Sequence, residues 1–594
     1  MKYGVVYDLP SPSFWRAPEI DFPSSLCIKV AVSRIFRIAS RQGCNMGFVP
    51  KNSFLFLNIT QFLGALNDNI FKLLVVYFLI DKEGVEMAPA ILSLAGALFV
   101  IPFLVFSSAA GVLADRLSKR TIIVFMKSFE LIIMLLSILA IYLETTAWLY
   151  FLLFLLATHS AIFGPSKYGI IPEIVEPMNV SKANGNLTSF TFLAIILGTF
   201  LASFLTDISH KNFYVVSLSC CFFSLLGFIS SFQIQKTAPQ GSAKRINPFF
   251  FYEIYKTLKT SARTPNLLSA IFGSAFFLFI GGFAQLNIIP FAIQSLHLSE
   301  VDGGYLFLAT AIGIALGSFL AGKWAKGEGA LALSCFAGFL ISLFFLLLFI
   351  FSKFFLVVVI LLILLGIVGG LYLVPFDSYL QIKSNDSERG QIIATSNFLS
   401  FCGVLFASFA LFFFSEVFHF TAASGFGWMA LIVFIFNLII TGRMSHLFFS
   451  FLAQKILQIF YPLEVKKAPS PDTLLVLSKC SWVIPLLLFS FLPNVKIIVY
   501  KKSAVRFPFW NGLFNTLFIS RSMHALFQKA KAVKKNGDFV ILFMEKGSFL
   551  QPFKKIWETE NHGPFTSWQS IQFKGDAWSF SRLLPRKKVS FFFY

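Results

Sequence analysis

The sequence predicts an all-α membrane protein, a bundle of twelve helices arranged as two six-helix halves, followed by a C-terminal segment of different character. Three observations predict it. The mean hydropathy is +0.76, and 57% of the 594 residues are hydrophobic against 13% charged, a balance outside the range of soluble domains. From residue 54 onward, apolar runs of about 17 to 27 residues follow one another, each enough to cross a hydrocarbon core near 30 Å thick. Stretches of the first half recur in the second at offsets of roughly two hundred residues, the mark of parallel six-span repeats.

The predicted spans are residues 54–80, 88–114, 121–143, 148–164, 187–206, 213–234, 267–293, 305–321, 330–351, 354–379, 390–414 and 422–441. Alternate connections are basic, with Arg116, Lys119 and Arg120 after the second span, Lys167 and Lys182 after the fourth, and Lys236 to Arg263 after the sixth. Lys323 and Lys326, Lys383 and Arg389, and Arg443 continue the series, while the intervening links carry Asp81, Glu83, Glu144, Asp207, Glu300 and Glu416. The positive-inside rule makes the basic side cytoplasmic and places both ends of the bundle there.

The formal net charge of +21 sits in these connections and in the C-terminal part, not in a stripe of the kind that grips nucleic acid, so no nucleic-acid partner is expected. Seven cysteines are scattered, with Cys220 and Cys221 adjacent inside an apolar run. Neither a disulfide framework nor a metal-ligand spacing can be read from them.

Residues 1–51 are polar, broken by Pro10, Pro12, Pro18 and Pro23, and lack the apolar core of a signal peptide. Two readings stay open: an untranslated leader ahead of a start at Met46, or a cytosolic tail.

The first span carries Gln61-Phe-Leu-Gly-Ala-Leu-Asn-Asp-Asn-Ile-Phe-Lys72. A carboxylate at the centre of a membrane helix costs about 2.5–3.5 kcal/mol on insertion scales, so it normally faces a partner or a water-filled cavity. Gln61, Gly64, Asp68 and Lys72 share one helical face, a polar seam with a small residue where a ligand or second helix can approach. Either this seam lines a transport path, or Asp68 and Lys72 neutralise each other one turn apart. Asn67 sits beside them. In the third span Lys127 and Glu130 repeat the pattern with the same two readings, and Asp377 in the tenth is a further candidate.

The longest internal connection, residues 235–266, divides the bundle. Gly111-Val-Leu-Ala-Asp-Arg-Leu-Ser-Lys-Arg120 is answered by Gly317-Ser-Phe-Leu-Ala-Gly-Lys-Trp-Ala-Lys326. Pro165-Ser-Lys-Tyr168 is answered by Pro375-Phe-Asp-Ser-Tyr379, and Leu201-Ala-Ser-Phe204 by Phe406-Ala-Ser-Phe409.

The Gly111 segment resembles the loop between the second and third helices of the major facilitator superfamily. The glycine permits close packing, Asp115 can cap or pair across the half-to-half interface, and Arg116, Lys119 and Arg120 anchor among headgroups. Ser118 stands where that family usually has a second glycine, and the second copy lacks the aspartate, with Gly322 in that region. The resemblance therefore gives the full conformational latch (Gly111, Asp115, Arg116, Arg120) to the first half alone.

Within that superfamily, residues 54–441 resemble the bacterial lysophospholipid transporters, through the Gln61–Lys72 segment and through Gly164-Pro-Ser-Lys-Tyr-Gly169 followed by Lys182-Ala-Asn-Gly185. Pro165 and Gly169 are expected to break the end of the fourth span and free backbone groups near a substrate path. The resemblance implies a twelve-helix major facilitator fold at residues 52–442 in a bacterial inner membrane, with lysophosphatidylethanolamine the expected cargo and membrane lipids its surroundings. Asp68 and Glu130 then serve the amine or a coupling cation, sodium or proton, and Lys72 and Lys127 the phosphate, with Gln61 and Asn67 alongside.

An amphipathic linker is expected at 443–469. Residues 470–594 resemble a small α/β glycerophospholipid acyltransferase domain, the partner fused to such transporters in some bacteria. Leu475-Val-Leu-Ser-Lys-Cys-Ser-Trp482 stands at that family's catalytic block, and Phe543-Met-Glu-Lys-Gly-Ser548 at its phosphate block, with Glu545 and Gly547. Where the family has its histidine general base and orienting aspartate, this chain has Lys479 and Ile484. A lysine is mostly protonated at neutral pH, so base and geometry are lost together. His297 and Asp302 have the family's spacing but fall in a loop between spans. The expected enzyme role is therefore none, and reacylation is left to a separate acyltransferase or acyl-carrier-protein synthetase. The competing functions are a membrane-anchored 2-acylglycerophosphoethanolamine acyltransferase, disfavoured by Lys479 and Ile484, and a generic small-molecule antiporter. An apolar bundle with few fixed charges suits a single-chain lipid better than a cargo polar all round.

Overall fold

The structure is a computed structural model. It describes residues 53–242, 244, 247, 249–325, 330–445, 447–449 and 451–452, together with seven short strands between 463 and 593.

Twelve helices among the described residues are long and apolar enough to cross a membrane. In chain order they are α1 (Ser53–Glu83), α2 (Ala88–Arg116), α3 (Lys119–Tyr142), α4 (Thr146–Gly169), α5 (Val180–Ile208) and α6 (Phe213–Phe232). After the connection come α7 (Leu267–Leu296), α8 (Glu300–Trp324), α9 (Ala330–Ile350), α10 (Phe355–Lys383), α11 (Arg389–Phe412) and α12 (Ala422–Arg443). Every predicted span is one of these helices, and most extend beyond their apolar run. The ends are polar because they reach the headgroups, where hydropathy no longer marks the helix.

Two ends differ instructively. Pro165 does not break α4, which runs on to Gly169. Neighbouring helices support the turn a proline weakens, and the helix stops where Ile170 N–H closes on the Ser166 carbonyl at 3.0 Å. Likewise Lys182-Ala-Asn-Gly185, expected in a connection, is the first turns of α5. Lys167 too is helical, in the last turn of α4.

The halves are α1–α6 and α7–α12, each with its own apolar core. Leu66, Ile70, Phe71, Met134 and Leu153 belong to the first core, and Phe283, Phe291, Phe345, Tyr372 and Phe426 to the second. Serines fasten helices inside them, as with Ser137 and Ser217, 2.8 Å apart between α3 and α6. The sequence repeats are structural repeats: Gly111 and Gly317 lie on α2 and α8, Pro165 and Pro375 inside α4 and α10, and the Ala-Ser pairs on α5 and α11. Between the halves the chain makes an amphipathic helix, Phe250–Ser261, which buries Ile254, Thr257 and Ser261.

The halves meet through two glycine crossings. A β-carbon on Gly111 would stand 2.7 Å from Ala394 Cβ and 2.8 Å from Gln391 Cα, and one on Gly185 would stand 2.8 Å from Gly322 Cα. Only hydrogen fits at such positions, so α2 lies against α11, and α5 against α8, with backbones nearly touching.

The strands are β1 (Leu463–Val465), β2 (Leu474–Leu477), β3 (Val495–Tyr500), β4 (Leu517–Ser520), β5 (Phe539–Phe543), β6 (Trp568–Phe573) and β7 (Val589–Phe593). They form one sheet in the order β1-β7-β6-β2-β5-β3-β4, parallel except for the β6–β7 pair. Strand β1 falls inside the stretch expected to be linker. Lys479, Ile484, Glu545 and Gly547 lie outside the described residues, as does all of 1–51.

His297 and Asp302 have no catalytic arrangement. His297 ends α7 in a left-handed conformation, and Asp302 forms a capping box with Ser299 at the start of α8.

Candidate transport site

Four polar side chains of α1 reach four different helices. Gln61 Nε2 donates to Thr191 Oγ1 of α5 at 3.1 Å. Asn67, fully buried, donates from Nδ2 to Glu130 Oε1 of α3 at 3.0 Å. Asp68 Oδ2 accepts from Ser160 Oγ of α4 at 2.9 Å. Lys72 holds its ammonium over the Phe99 ring of α2 at 5.3 Å. Asp68 and Lys72 make no ion pair with each other, so mutual neutralisation within α1 is not what holds them in the bilayer.

Lys127 and Glu130 do neutralise each other. Their side chains are 1% and 0% exposed, with Nζ 2.5 Å from Glu130 Oε2. His159 Nε2 of α4 stands 3.5 Å from the same oxygen, and the Lys127 ammonium also faces the Phe163 ring at 5.4 Å. Gly64 makes room, because any side chain there would overlap the lysine's end. Charges taken this far from water persist only when paired and further hydrogen-bonded, and Asn67 and Lys127 supply those bonds to Glu130.

Asp68 is less well served. Its Oδ1 is buried without a hydrogen-bond partner among the described residues. Two turns along α4 from Ser160, Lys167 lies within electrostatic reach of that carboxylate. Its ammonium is flanked by the rings of Phe163 at 5.6 Å and Tyr168 at 5.1 Å. Among the described residues Lys167 has no carboxylate within ion-pair distance. The sequence offered the signal, since Ser160 and Lys167 share a helical face once α4 is allowed past Pro165.

Between the halves lies a cavity of about 180 Å³, walled by Tyr168 and Thr191 from the first half and by Ser274, Asp377, Gln381 and Asn397 from the second. Asp377 Oδ1 accepts from Ser274 Oγ at 2.6 Å. Gln61 reaches this cavity through Thr191, while the Lys127–Glu130 pair stays within the first half.

The end of the bundle that carries the basic connections is closed. Asp115 accepts from the backbone N–H groups of Gly390 at 2.6 Å and Gln391 at 3.0 Å, the first turn of α11. A carboxylate meets there the unpaired amides and positive end of a helix dipole. Asn184 of α5 and Gln381 of α10 exchange amide bonds of 3.0 and 2.9 Å, and Asn184 also donates to Ser378 at 3.2 Å. Lys244 of the connection reaches Gln391 Oε1 at 2.7 Å and Glu388 at 2.9 Å. Among the described residues, every hydrogen bond and ion pair joining the halves lies at this end.

Of the basic residues expected to anchor there, Arg116 is exposed and Arg120 donates to the Phe232 carbonyl at 3.2 Å. Lys119 departs from the expectation. It is fully buried and pairs with Glu173 at 2.6 Å, because α3 begins at this residue and turns it inward beside Gly169, where an added β-carbon would press on its chain at 3.0 Å.

Two six-helix repeats around a central cavity, closed at one end by bonds that rocking of the halves would break, define a secondary transporter. The chain belongs to the Major Facilitator Superfamily, whose sequence profile matches residues 57–408. It is a multi-pass membrane transporter. Among curated proteins it is similar to the lysophospholipid transporter LplT of Escherichia fergusonii, 25% identical over 343 residues that cover 57% of this chain and 83% of the relative. The LplT of Shigella sonnei is 26% identical over the same shares. Among solved structures, the human organic anion transporter MFSD10 has the same fold, with a TM-score of 0.53 at 15% identity, covering 65% of this chain and 99% of that one. The major facilitator transporter FucP in its outward conformation gives a TM-score of 0.53 at 14% identity, over 66% and 99%.

Proposed function

We propose that this transporter carries a lysophospholipid, preferentially lysophosphatidylethanolamine, from the outer to the inner leaflet of a bacterial inner membrane by alternating access, delivering it for reacylation. The supporting observation is Asp68, with one carboxylate oxygen unpartnered, within electrostatic reach of Lys167 on the adjoining helix. A carboxylate and an ammonium that are near but not paired with each other complement the amine and phosphate of a zwitterionic headgroup through charge-assisted bonds. The similarity to LplT over 343 residues points to the same cargo. Lys127 and Glu130, engaged with each other, serve as the wall of this site; Lys72 and Gln61 flank it.

By the positive-inside rule the bonded, basic end faces the cytosol and both ends of the bundle lie there. A coupling cation, sodium or proton, would take the free oxygen of Asp68 when cargo is absent. The C-terminal segment is a degenerate acyltransferase whose general base has been replaced by Lys479, so a separate acyltransferase or acyl-carrier-protein synthetase completes the repair.

The test is leaflet-specific uptake of fluorescent lysophosphatidylethanolamine in a bacterial strain lacking its own transporter. Uptake that depends on this chain and disappears in Asp68→Ala at equal expression supports the reading. Uptake no greater than in the empty strain sinks the cargo assignment.

A further inference from the structure

The connecting helix Phe250–Ser261 turns only one side to the bundle. Ile254, Thr257 and Ser261 are buried there, and at about 100° per residue the three fall in one narrow stripe. At the start of the helix the rings of Phe250 and Phe251 meet Phe398 of α11, with centroids 6.0 and 5.9 Å apart.

The other side is bare, and its composition is selective. Phe251, Tyr252 and Tyr255 are 67%, 58% and 60% exposed. Lys256 and Lys259 are exposed in the following turn, and Arg263 just past the end of the helix. All six fall within an arc of about 140°. The one carboxylate of this helix, Glu253, is half-buried and accepts from Asn247 at 3.4 Å, so the bare side is cationic as well as aromatic.

The contact with Phe398 says what covers that side. Phe398 lies nine residues into α11 from Arg389, roughly 13 Å inward along the helix. One headgroup layer is only about 5–8 Å thick. The start of the connecting helix therefore reaches the level of the headgroups and the first acyl carbons, where a soluble partner has no access and lipid is the surrounding medium. Aromatic side chains favour that level, and clustered Lys and Arg beside it attract anionic headgroups.

We propose that the bare side of this helix is a lipid-binding surface. Phe251, Tyr252 and Tyr255 seat among the headgroups and first acyl carbons of the leaflet at this end, and Lys256, Lys259 and Arg263 on the phosphates of its anionic lipids. The partner is the leaflet surface and not cargo, so the proposal does not rest on the lysophospholipid assignment. Because Lys244 of the same connection grips Gln391 and Glu388 at the start of α11, the leaflet is linked through it to the bonded end of the bundle.

The experiment places an environment-sensitive dye on Tyr255→Cys and, separately, on Tyr252→Cys in the full chain. Each is reconstituted in vesicles of phosphatidylcholine, or of phosphatidylcholine with about one third phosphatidylglycerol. The parent chain treated with the same dye supplies the background from its own cysteines. Depth is read by quenching with nitroxides on the lipid acyl chains and with iodide on both faces. Both sites are expected to be shielded from iodide at least about threefold relative to the dye on glutathione, and their nitroxide quenching to rise at least about 1.5-fold with phosphatidylglycerol. Lys256→Gln with Lys259→Gln, both at exposed positions, should remove that rise. If one labelled variant does not reconstitute, the other site decides. Iodide access equal to that of the glutathione adduct would put the helix in water and overturn the proposal. Equal nitroxide quenching with and without phosphatidylglycerol, or a rise that survives in the double variant, would overturn it as well.

Discussion

Asn184 and Gln381 hold each other by two reciprocal amide bonds, 3.0 and 2.9 Å long, across the boundary between the halves. Both are 1% exposed. Replacing either by alanine strands the other's amide in a dry interface, at a cost of about 1–3 kcal/mol. Because the pair exists only while this end is closed, Asn184→Ala and Gln381→Ala are each expected to raise the fraction open at this end by about tenfold or more. Labelling of a cysteine placed on the cavity wall, from each side of the membrane, reads that shift. The double variant should cost less than the sum of the two; strict additivity would mean that the pair is not coupled.

Asp115 acts on the same equilibrium by charge. Asp115→Asn keeps the shape but replaces one acceptor oxygen with a donor facing the Gly390 or Gln391 N–H group. The closed form should lose about 1–3 kcal/mol, seen again as labelling of this end. Affinity for cargo should stay unchanged, since Asp115 lies at the end of α2 and not in the cavity wall. A weakened affinity with unaltered labelling would assign Asp115 to the binding site.

Lys127 and Glu130 separate a structural pair from a binding pair. Removing one partner leaves an uncompensated buried charge, so Lys127→Ala or Glu130→Ala should destabilise by about 3–5 kcal/mol. Lys127→Met with Glu130→Gln together should be much milder. Thermal melting of the purified chain reports this. If both single variants melt as the parent does but fail to bind cargo, the two residues are ligands.

Asp68→Asn and Lys167→Ala should abolish uptake with little loss of stability, because neither side chain is locked in a buried pair of its own. If Asp68 holds the coupling cation, Asp68→Asn should also remove the dependence of any residual uptake on that ion. Full uptake by both variants would move the headgroup site elsewhere, with Asp377 the next carboxylate to test.

Deleting residues 470–594 should leave uptake intact, and the full chain should transfer no acyl group from a thioester donor. If this segment is a degenerate acyltransferase, histidine at Lys479 and aspartate at Ile484 would supply a proton-transfer pair worth roughly a hundred- to ten-thousand-fold in typical enzymes, and rescue would be partial at best. Acyl transfer by the unaltered chain would overturn the reading of this segment as catalytically inert.

Much of this fold was legible because a bilayer imposes simple rules. Twelve apolar runs gave twelve helices, since length and hydropathy are all that spanning requires. Gly111 and Asp115 were legible as an interface pair because close approach demands glycine and a helix start attracts a carboxylate. The Asn184–Gln381 bond was not, since nothing local distinguishes an amide that meets its match 197 positions away from one that faces water. Burial of Lys119 was hidden for a related reason: a basic residue at a helix start looks the same whether it turns to the headgroups or inward to Glu173. In the site, spacing correctly brought Lys127 beside Glu130. For Asp68 and Lys72 spacing left a pair or a path open, and it could not show their partners Ser160 and Phe99, which come from other helices.

The glycine crossing at Gly111 lies near the end of a helix of 29 residues, roughly 43 Å long at 1.5 Å per residue. That makes α2 a long lever with its clasp at the tip. Turning it about its far end by only about 7° would part the tips by about 5 Å, more than a hydrogen bond spans. A gate on so long an arm needs little angular travel and no refolding of its helices. The work of opening is concentrated in a handful of bonds at the tip, which is where small changes in side-chain chemistry will have the greatest mechanical advantage.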